Sequence, residues 1–249
     1  MKKPLELTSH TGIIINASKY RDKDCVVSLV GDGVKGVYRA INAYLPTNKN
    51  HVSTLVFSKV RLDVGGYSDH PSISSTVLLK NHAEVYENLF FSSALAIVQD
   101  IIINLFQDGD HIQTEYLESL LDFKNPNDGQ ILFGVLVTIL HLSENLGILD
   151  VSLSCPVCGK KLKRTACYDF ELGGLICNDC QEDNFLSDSK EDKIKILIKA
   201  YKVTPDKMMI EINKMFGLEL IEELARHIEN SVGYHMKSLE NFKKWFFNL

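Results

Sequence analysis

Two cysteine pairs with identical spacing constrain this chain more than any other feature. Cys155 and Cys158 bracket two residues, as do Cys177 and Cys180, and eighteen residues, 159–176, separate the pairs. Two residues between thiolates allow a tight turn to direct both sulfur atoms at one ion, and a second such turn completes a tetrahedron with Zn–S distances of about 2.3 Å. Four protein ligands leave no position for a catalytic water. The spacing therefore predicts a structural zinc site formed by these four cysteines.

Two other motifs resemble catalytic elements but have simpler interpretations. Gly31–Gly36 matches the G-x-G-x-x-G string of dinucleotide-binding loops, but a strand follows it instead of the required helix, which favours a β-hairpin turn. His82 and Glu84 match the H-x-E element of zinc deaminases. The second cysteine pair would, however, fill the position that a catalytic water needs. We therefore predict that the chain is not an enzyme.

Length and composition predict a folded protein that is neither secreted nor membrane-spanning. The chain has 249 residues, 45% of them hydrophobic, enough for one large domain or two to three small ones. The first ten residues contain no apolar run resembling a signal peptide. The longest apolar stretch, Ile131–Leu142, is shorter than the roughly 20 residues that span a bilayer. We therefore expect a cytoplasmic protein with reduced cysteines and no membrane partner.

The first 80 residues are predicted to form a small β barrel. Runs rich in Val, Ile, Thr and Tyr alternate with breaks that carry Gly, Pro, Asn and Asp, and the runs are 11–18, 23–30, 34–42, 51–64 and 73–80. Five short strands in this length match a closed or partly open barrel of the OB type, and an SH3-like barrel is the competing fold.

From His82 onward apolar residues recur at helical spacing, which predicts a helical domain over residues 81–249. Ile131–Leu146 is apolar nearly all round, so we expect a buried helix that ends at Gly147. A single apolar stripe from Ile221 to Phe246 predicts one long helix. The cysteine pairs lie between two groups of helices, so a zinc finger over residues 153–182 interrupts this domain. The predicted fold class is α+β.

The net charge of −5 conceals an asymmetry along the chain. Residues 1–80 have 11 basic and 6 acidic side chains, a net charge of +5, whereas residues 81–154 have 1 basic and 11 acidic side chains, a net charge of −10. Only the N-terminal third is therefore expected to attract polyanions. Cations also follow the first cysteine pair, and they either neutralise the zinc thiolates or contact phosphate: Lys160, Lys161, Lys163 and Arg164.

Alternation along the predicted strands places cations on the outer face of the barrel. Lys35, Val37 and Arg39 share one face of their strand. If Val56, Val60 and Leu62 fill the interior, the opposite face of the next strand presents Leu55, Phe57, Lys59 and Arg61. Cations interleaved with an aromatic ring suit single-stranded nucleic acid, because cations hold the phosphates and bases stack on the ring. A solvated outer face explains the same pattern equally well.

The order of these parts resembles the RecO family of bacterial recombination mediators, over the whole length of the chain. Short motifs carry the resemblance: Gly12–Ile15 with Tyr20, Gly33–Gly36 with Asn42, Cys155–Gly159, Gly173–Cys177 with Cys180, and Lys237–Leu239. Only the cysteine element is specific by itself, so the order and spacing of the motifs together indicate the family.

The resemblance implies an N-terminal OB-fold joined to a helical domain that carries a four-cysteine zinc finger, without enzymatic turnover. Members of this family bind single- and double-stranded DNA and anneal complementary strands in the bacterial cytoplasm, associated with the nucleoid. They also interact with RecR and with the acidic tail of single-strand-binding protein, so that a RecA-type recombinase can load during recombinational repair. By position, the four cysteines would hold Zn²⁺. The DNA surface would centre on Lys35 and Arg39, with further candidates at Lys19, Arg21, Lys59 and Arg61.

Two features depart from the family pattern. The segment 21–24 has mixed charge and basic residues are sparse after the hairpin, so we expect modest affinity for DNA. The negative charge of residues 81–154 disfavours an acidic tail there and favours the cations around Lys237, Lys243 and Lys244 or those near the zinc. A protein-interaction adaptor that is stabilised by zinc and binds nucleic acid only incidentally is the competing interpretation.

Overall fold

The fold is a mixed α+β arrangement in which five strands precede the helices. The computed structural model describes residues 4–67, 70–149, 154–162, 165–169, 172, 174–180 and 188–247. Lys163, Arg164 and Gly173, which belong to the sequence motifs above, lie outside these residues.

The β-branched runs of the N-terminal third form a closed barrel with the strand order β1-β2-β3-β5-β4. The strands are β1 (Pro4–Tyr20), β2 (Asp24–Gly31), β3 (Val34–Ala40), β4 (Lys59–Tyr67) and β5 (His70–Lys80). Paired strands are antiparallel except β3 and β5, which run parallel where Arg39 and Ala40 lie beside Ser72 and Ile73. The five predicted runs therefore correspond to five strands, and the fourth strand begins at Lys59 instead of residue 51.

Strand β1 closes the barrel because it pairs with both β4 and β2. Its residues up to Ile13 pair with β4, and those from Ile13 to Tyr20 pair with β2. A register shift between Ile14 and Asn16 lets one long strand serve both neighbours. The backbones of β1 and β2 approach closely at Gly12, where an added Cβ atom would lie 2.4 Å from the Val30 carbonyl oxygen. Only glycine fits at this contact.

Inward-facing side chains of all five strands fill the barrel: Ile14, Cys25, Val27, Leu29, Ala40, Val60, Leu62, Val64 and Ile73. Val60 and Leu62 are completely buried, which confirms the predicted interior face of their strand. Burial of each large aliphatic side chain contributes about 1.5–3 kcal/mol, so this cluster is a main source of stability for the barrel.

The glycine-rich segment between β2 and β3 is a two-residue hairpin turn. Gly31 pairs with Val34, and the two residues between them have positive φ angles, 49° at Asp32 and 78° at Gly33. This is the conformation that Asp-Gly favours in tight hairpins. The prediction of a turn in place of a cofactor loop is confirmed.

The prediction of a strand over residues 51–64 is wrong for its first half. His51–Thr54 form a 3₁₀ helix, in which Ser53 Oγ donates a hydrogen bond to the Asn50 carbonyl (2.6 Å). Thr54 Oγ1 donates in the same way to the His51 carbonyl (2.8 Å). Serine and threonine can stabilise turns through such bonds, so the β-branched composition did not indicate a strand here.

The helices are α1 (Glu84–Glu87), α2 (Leu89–Leu105), α3 (Glu115–Leu121), α4 (Asp128–Asn145), α5 (Asp188–Lys202), α6 (Lys214–Val232) and α7 (Lys237–Phe246). A hairpin of β6 (Thr165–Asp169) and β7 (Gly174–Cys177) lies between α4 and α5 in the sequence. Helix α4 is buried along almost its whole length and packs against α3, α5 and α6. It begins with a capping box at Asn127 and Gln130 and ends just before Gly147 (φ 69°), as predicted.

The predicted long C-terminal helix is two helices. Helix α6 stops at Gly233, whose φ angle of 68° is left-handed, and its N–H donates to the Glu229 carbonyl (2.8 Å). Glycine adopts this conformation easily and so terminates helices. The apolar stripe continued past this residue because α7 also buries one face, through Leu239 and Phe242.

The described residues divide into two compact units. The first contains the chain up to Leu89 together with Gln99–Thr114, and the second contains Phe90–Val98 and the residues from Glu115 onward. The predicted division into a barrel domain over residues 1–80 and a helical domain over residues 81–249 stays a prediction. Among the described residues, no helix has both the length and the apolar character needed to cross a bilayer.

We expect Gly12→Ala to destabilise the protein by about 1–3 kcal/mol, because its Cβ atom would overlap the Val30 carbonyl. Gly65→Ala on β4 is the matched control, since its added atom would make only an ordinary contact with Leu7 (3.5 Å). Urea denaturation followed by circular dichroism measures both. Equal stability of the two variants would contradict the close contact.

Candidate nucleic-acid interface and metal centre

One outer face of the barrel is formed by residues that lie opposite each other on neighbouring strands. Tyr20 is opposite Asp24, Val26 is opposite Arg39, and Arg39 is beside Ser72. Residues paired in this way project to the same side of a sheet. The strand register therefore brings one aromatic ring, one acid and one arginine onto a common surface.

This surface contains a groove of about 400 Å³. Its lining is Tyr20, Arg21, Val26, Val37, Tyr38, Arg39 and Pro71. Tyr38 has the opposite parity to Val37 and Arg39, and its side chain packs against the barrel core and stacks with His10 at 5.5 Å between ring centroids. The aromatic ring available on the outer face of the groove is therefore that of Tyr20.

Both arginines of the groove lie against Tyr20. The guanidinium carbon is 5.2 Å from the ring centroid for Arg21 and 5.5 Å for Arg39. These distances are within the range of cation–π attraction. Arg21 has a φ angle of 58°, which is uncommon for a residue with a side chain.

An ion pair fixes Arg39. Its Nη2 and Nε atoms donate to Asp24 Oδ2 at 2.5 and 3.2 Å. Asp24 also accepts the backbone N–H of Asn42 at Oδ1 (2.9 Å). The Asn42 N–H and then the Arg39 guanidinium hold the pKa of Asp24 below its ordinary value. Arg39 is therefore oriented in advance, but most of its charge is neutralised by the carboxylate.

Lys35 is not on this surface, which corrects the expectation that it is a centre of DNA contact. It is 6% exposed, and its Nζ atom donates to the carbonyls of Ile102, Ile103 and Phe106 at 3.1, 2.9 and 2.5 Å. These carbonyls are at the end of α2, where a cation is favourable. Burial lowers the pKa of Lys35, which nearby Asp108 and Asp110 oppose. Its role in this structure is that of a helix cap.

The segment after α2 explains why Lys35 is covered although Arg39 is open. The Lys35 N–H donates to the Asp110 carbonyl (3.0 Å), and the Gly109 N–H donates to the Lys35 carbonyl (2.8 Å). The segment after α2 thus pairs with the edge of β3 that does not face β2, at Lys35. Of the outward-facing residues of this strand, Lys35 is covered, and Val37 and Arg39 are half-buried.

Phe57 is also removed from the predicted interface by burial. The residue is 4% exposed, precedes β4 and has a left-handed backbone with φ 60°. Its carbonyl lies 2.7 Å from His82 Nδ1. Since the ring is covered, it offers no face to a base, and the parity argument fails because the residue is not in a strand.

Of the remaining candidates, only Arg21 and Arg39 line the groove. Lys19 is exposed near the end of β1. It lies opposite the buried residue Cys25, so it is on the side of the sheet that faces the barrel interior and not on the side of the groove. Lys59 and Arg61 belong to β4, and Arg61 is exposed. Sequence reasoning missed Tyr20 as a site residue, although its position before Arg21 at the end of a β-branched run was a usable signal.

The four predicted zinc ligands form one cluster in the second unit. The sulfur atoms of Cys155, Cys158, Cys177 and Cys180 all lie within 4.8 Å of one another, and those of Cys158 and Cys177 are 3.7 Å apart. A tetrahedral zinc site with Zn–S distances of about 2.3 Å requires sulfur atoms about 3.8 Å apart. The cluster therefore fits one zinc ion. Among the described residues, only these four cysteines make up the group, without a histidine or a carboxylate.

Local hydrogen bonds shape the two cysteine turns. The Gly159 N–H donates to the Cys155 carbonyl (2.8 Å), and Gly159 has a φ angle of 69°. The Cys180 N–H donates to the Cys177 carbonyl (3.0 Å). Gly174 of the hairpin lies against Pro156, where an added Cβ atom would be 3.2 Å from the proline ring. The hairpin thus holds the turns side by side.

The protein backbone favours the ionised thiolate at one ligand in particular. Hydrogen bonding from the Cys177 backbone, assisted by Cys158 and Val157, lowers the pKa of Cys155 to about 6. Hydrogen bonding with the Cys177 and Cys158 side chains raises the pKa of Cys180 to about 12, because neighbouring sulfur atoms compete for protons. A cation among the four sulfurs would remove this competition.

The sequence is similar to two curated bacterial proteins, each named DNA repair protein RecO. That of Mesoplasma florum is 27% identical over 183 residues, which cover 70% of this chain and 67% of the relative. That of Caldicellulosiruptor saccharolyticus is 25% identical over 175 residues, which cover 69% of this chain and 71% of the relative. These matches support the RecO family. They confirm the resemblance that the motifs predicted, and no protein-family model matches the chain.

In this RecO-like chain, Lys35→Met should lower the free energy of unfolding by about 2–4 kcal/mol, because it leaves three helix-terminal carbonyls without their cation. Lys19→Met is the control, because Lys19 is exposed on the same barrel. Urea titration of both variants measures the difference. A Lys35 variant as stable as the control would show that the capping bonds contribute nothing.

Cys177→Ser should abolish stoichiometric zinc binding and lower the thermal midpoint, since metal binding and local folding are coupled. Cys25→Ala is the control because Cys25 lies in the barrel core and is not one of the four clustered cysteines. Elemental analysis of the purified proteins should give one zinc per chain for the control. Retention of zinc by the Cys177 variant would refute the four-thiolate site.

Proposed function

We propose that the chain is a DNA-binding recombination mediator that anneals complementary strands and helps to load a RecA-type recombinase onto single-stranded DNA. The observation that carries this proposal is the similarity to two DNA repair proteins named RecO over about seven tenths of the chain. This similarity implies a role in DNA repair and recombination. The groove with its two arginines is the structural feature that suits such a role.

The barrel is proposed to be of the OB type. Its strand order β1-β2-β3-β5-β4, with the one parallel pairing between β3 and β5, supports this assignment. Five-stranded barrels of this type bind oligonucleotides on an outer strand face. The face that includes Tyr20 and Arg39 has the corresponding position on the first three strands.

The proposed DNA surface consists of barrel cations that are exposed or half-buried, and it excludes the two buried candidates. Arg21 is its strongest electrostatic contact, because it is exposed at the groove. Arg39 contributes less charge because Asp24 neutralises it. Lys19, Lys59 and Arg61 remain further candidates, whereas Lys35 and Phe57 are inaccessible. A surface with few strong cations is consistent with modest affinity.

The zinc finger is proposed to be structural. Cys155, Cys158, Cys177 and Cys180 would hold the ion, and when bound it would supply a cross-link between the two turns and no reaction chemistry. The hairpin also connects to α5 through the hydroxyls of Tyr168 and Tyr201, 3.4 Å apart. Zinc binding would therefore stabilise the contact between the finger and this helix.

The proposed protein partners are a RecR-like protein and the acidic tail of single-strand-binding protein. Of the cations suggested for the tail, Lys243 is already paired with Glu222 at 3.0 Å, while Lys237 is exposed at the start of α7. Lys160 and Lys161 beside the first cysteine turn are exposed as well. These side chains are the ones to test for tail binding.

An adaptor that acts mainly through protein contacts is the second candidate. The observation that favours it is the run of exposed apolar residues Val77, Leu78 and Leu79 near the end of β5. Such runs are frequent where another protein binds. Strand annealing that survives removal of the barrel cations would support this candidate.

For the leading proposal, binding of a fluorescent single-stranded oligonucleotide should weaken with salt. The slope of the logarithm of the association constant against the logarithm of the salt concentration should be about −0.7 for each phosphate contacted. Arg21→Gly should reduce this slope by about 0.7, and Arg39→Ala should reduce it less because Asp24 already neutralises that charge. Arg226→Ala on α6 is the control, because it removes an exposed arginine outside the barrel. Fluorescence anisotropy at several salt concentrations measures all four proteins.

The same proteins should be tested for annealing of two complementary labelled strands, followed by energy transfer between the labels. Wild type and Arg226→Ala should accelerate annealing equally, and Arg21→Gly should be slower. Absence of DNA binding by the wild type, or binding that does not depend on salt, would refute the proposed function.

A further inference from the structure

The groove on the barrel contains apolar side chains that a site for phosphates alone would not need. Val26, Val37 and Pro71 give it an apolar floor, and Arg21 and Arg39 stand at the same groove. Cations alone would suffice to hold a DNA backbone. An apolar floor beside two cations suits a ligand that has both a flat apolar face and a nearby negative charge.

The exposed ring of Tyr20 provides a surface for such a face. Tyr20 is 40% exposed, and two guanidinium groups lie within 5.5 Å of its centroid. Aromatic rings and guanidinium planes both stack on nucleobases, and this stacking tolerates any base. The groove thus offers a stacking surface at the outer face of β1, β2 and β3.

Part of this surface is organised before any ligand binds. Asp24 holds the guanidinium of Arg39 through two hydrogen bonds, and the Asn42 N–H holds Asp24 in turn. Because Asp24 neutralises its charge, Arg39 serves better as a planar contact than as a phosphate ligand. Arg21 is exposed at the turn and suits the adjoining phosphate.

We propose that this groove binds one unpaired nucleobase of single-stranded DNA, packed against Tyr20 and the apolar floor, with Arg39 beside it and Arg21 at the neighbouring phosphate. A volume of about 400 Å³ is at the lower end of the roughly 300–1,000 Å³ of ligand pockets, which suits one base with its sugar. A base in a duplex is stacked on both faces and cannot enter without being flipped out. The site therefore selects single strands. This inference rests on the proposed function, because it takes DNA as the ligand.

The test compares DNA strands that differ only in their bases. The probes are a fluorescent oligothymidine, an abasic strand of equal length and charge, and a blunt duplex hairpin. Wild-type protein should bind oligothymidine about tenfold more tightly than the abasic strand at the same salt concentration, in line with base–aromatic stacking. Fluorescence anisotropy gives the three dissociation constants.

Variants assign the preference to individual side chains. Tyr20→Ala should abolish the preference for oligothymidine over the abasic strand, whereas Tyr20→Phe should keep that preference. Arg39→Lys retains the charge but loses the planar group, so it should reduce the preference only. Arg21→Gly should weaken both strands equally, and glycine suits the φ angle of 58° at that position.

The outcomes separate this inference from the proposed function. Equal wild-type affinity for oligothymidine and the abasic strand would overturn the nucleobase site while DNA binding stands. A preference that survives Tyr20→Ala would overturn it as well. No binding of either strand would refute the proposed function together with the inference. Because the wild-type comparison needs no substitution, a variant that failed to fold would not prevent a decision.

Discussion

Closure of the barrel by β1 is the constraint on which the proposed DNA site depends. One strand of 17 residues pairs with β4 in its first half and with β2 in its second half. The close backbone contact at Gly12 and the register shift after Ile14 allow this double pairing. The groove is built from the second half of β1 and its neighbours, so its geometry follows from how the barrel closes.

The two cations on the outward face of β3 show how the same residue pattern leads to different roles. Lys35 and Arg39 have the same parity, but the segment after α2 pairs with the strand at Lys35 and buries that side chain among helix-terminal carbonyls. Arg39 lies beyond this cover and pairs with Asp24. One charge therefore stabilises the fold, and the other orients a surface. The contact of Arg39 with DNA stays a prediction, whereas burial removes Lys35 from the outer surface.

The cysteine cluster is formed by residues close together in the sequence, whereas the groove depends on the pairing of separate strands. Each pair of ligands is fixed by a turn of a few residues, and a short hairpin brings the two turns together. Four thiols at tetrahedral spacing suit a structural ion and leave no ligand position for a substrate. In the proposed function, the cysteine cluster contributes to stability and the barrel to DNA binding.

The sequence by itself determined the features that depend on neighbouring residues: the four-cysteine site, the Asp32–Gly33 turn, the buried helix α4 and the alternation that fills the barrel with Val60 and Leu62. It failed where distant segments decide the outcome. Lys35 is covered by the segment that follows α2, Phe57 is placed by a turn instead of a strand, and Tyr20 meets Arg39 only through pairing of β1, β2 and β3. Local pattern fixes which way a side chain points along its own strand. Only the tertiary structure decides what covers that side chain, because burial depends on contacts between residues far apart in the chain.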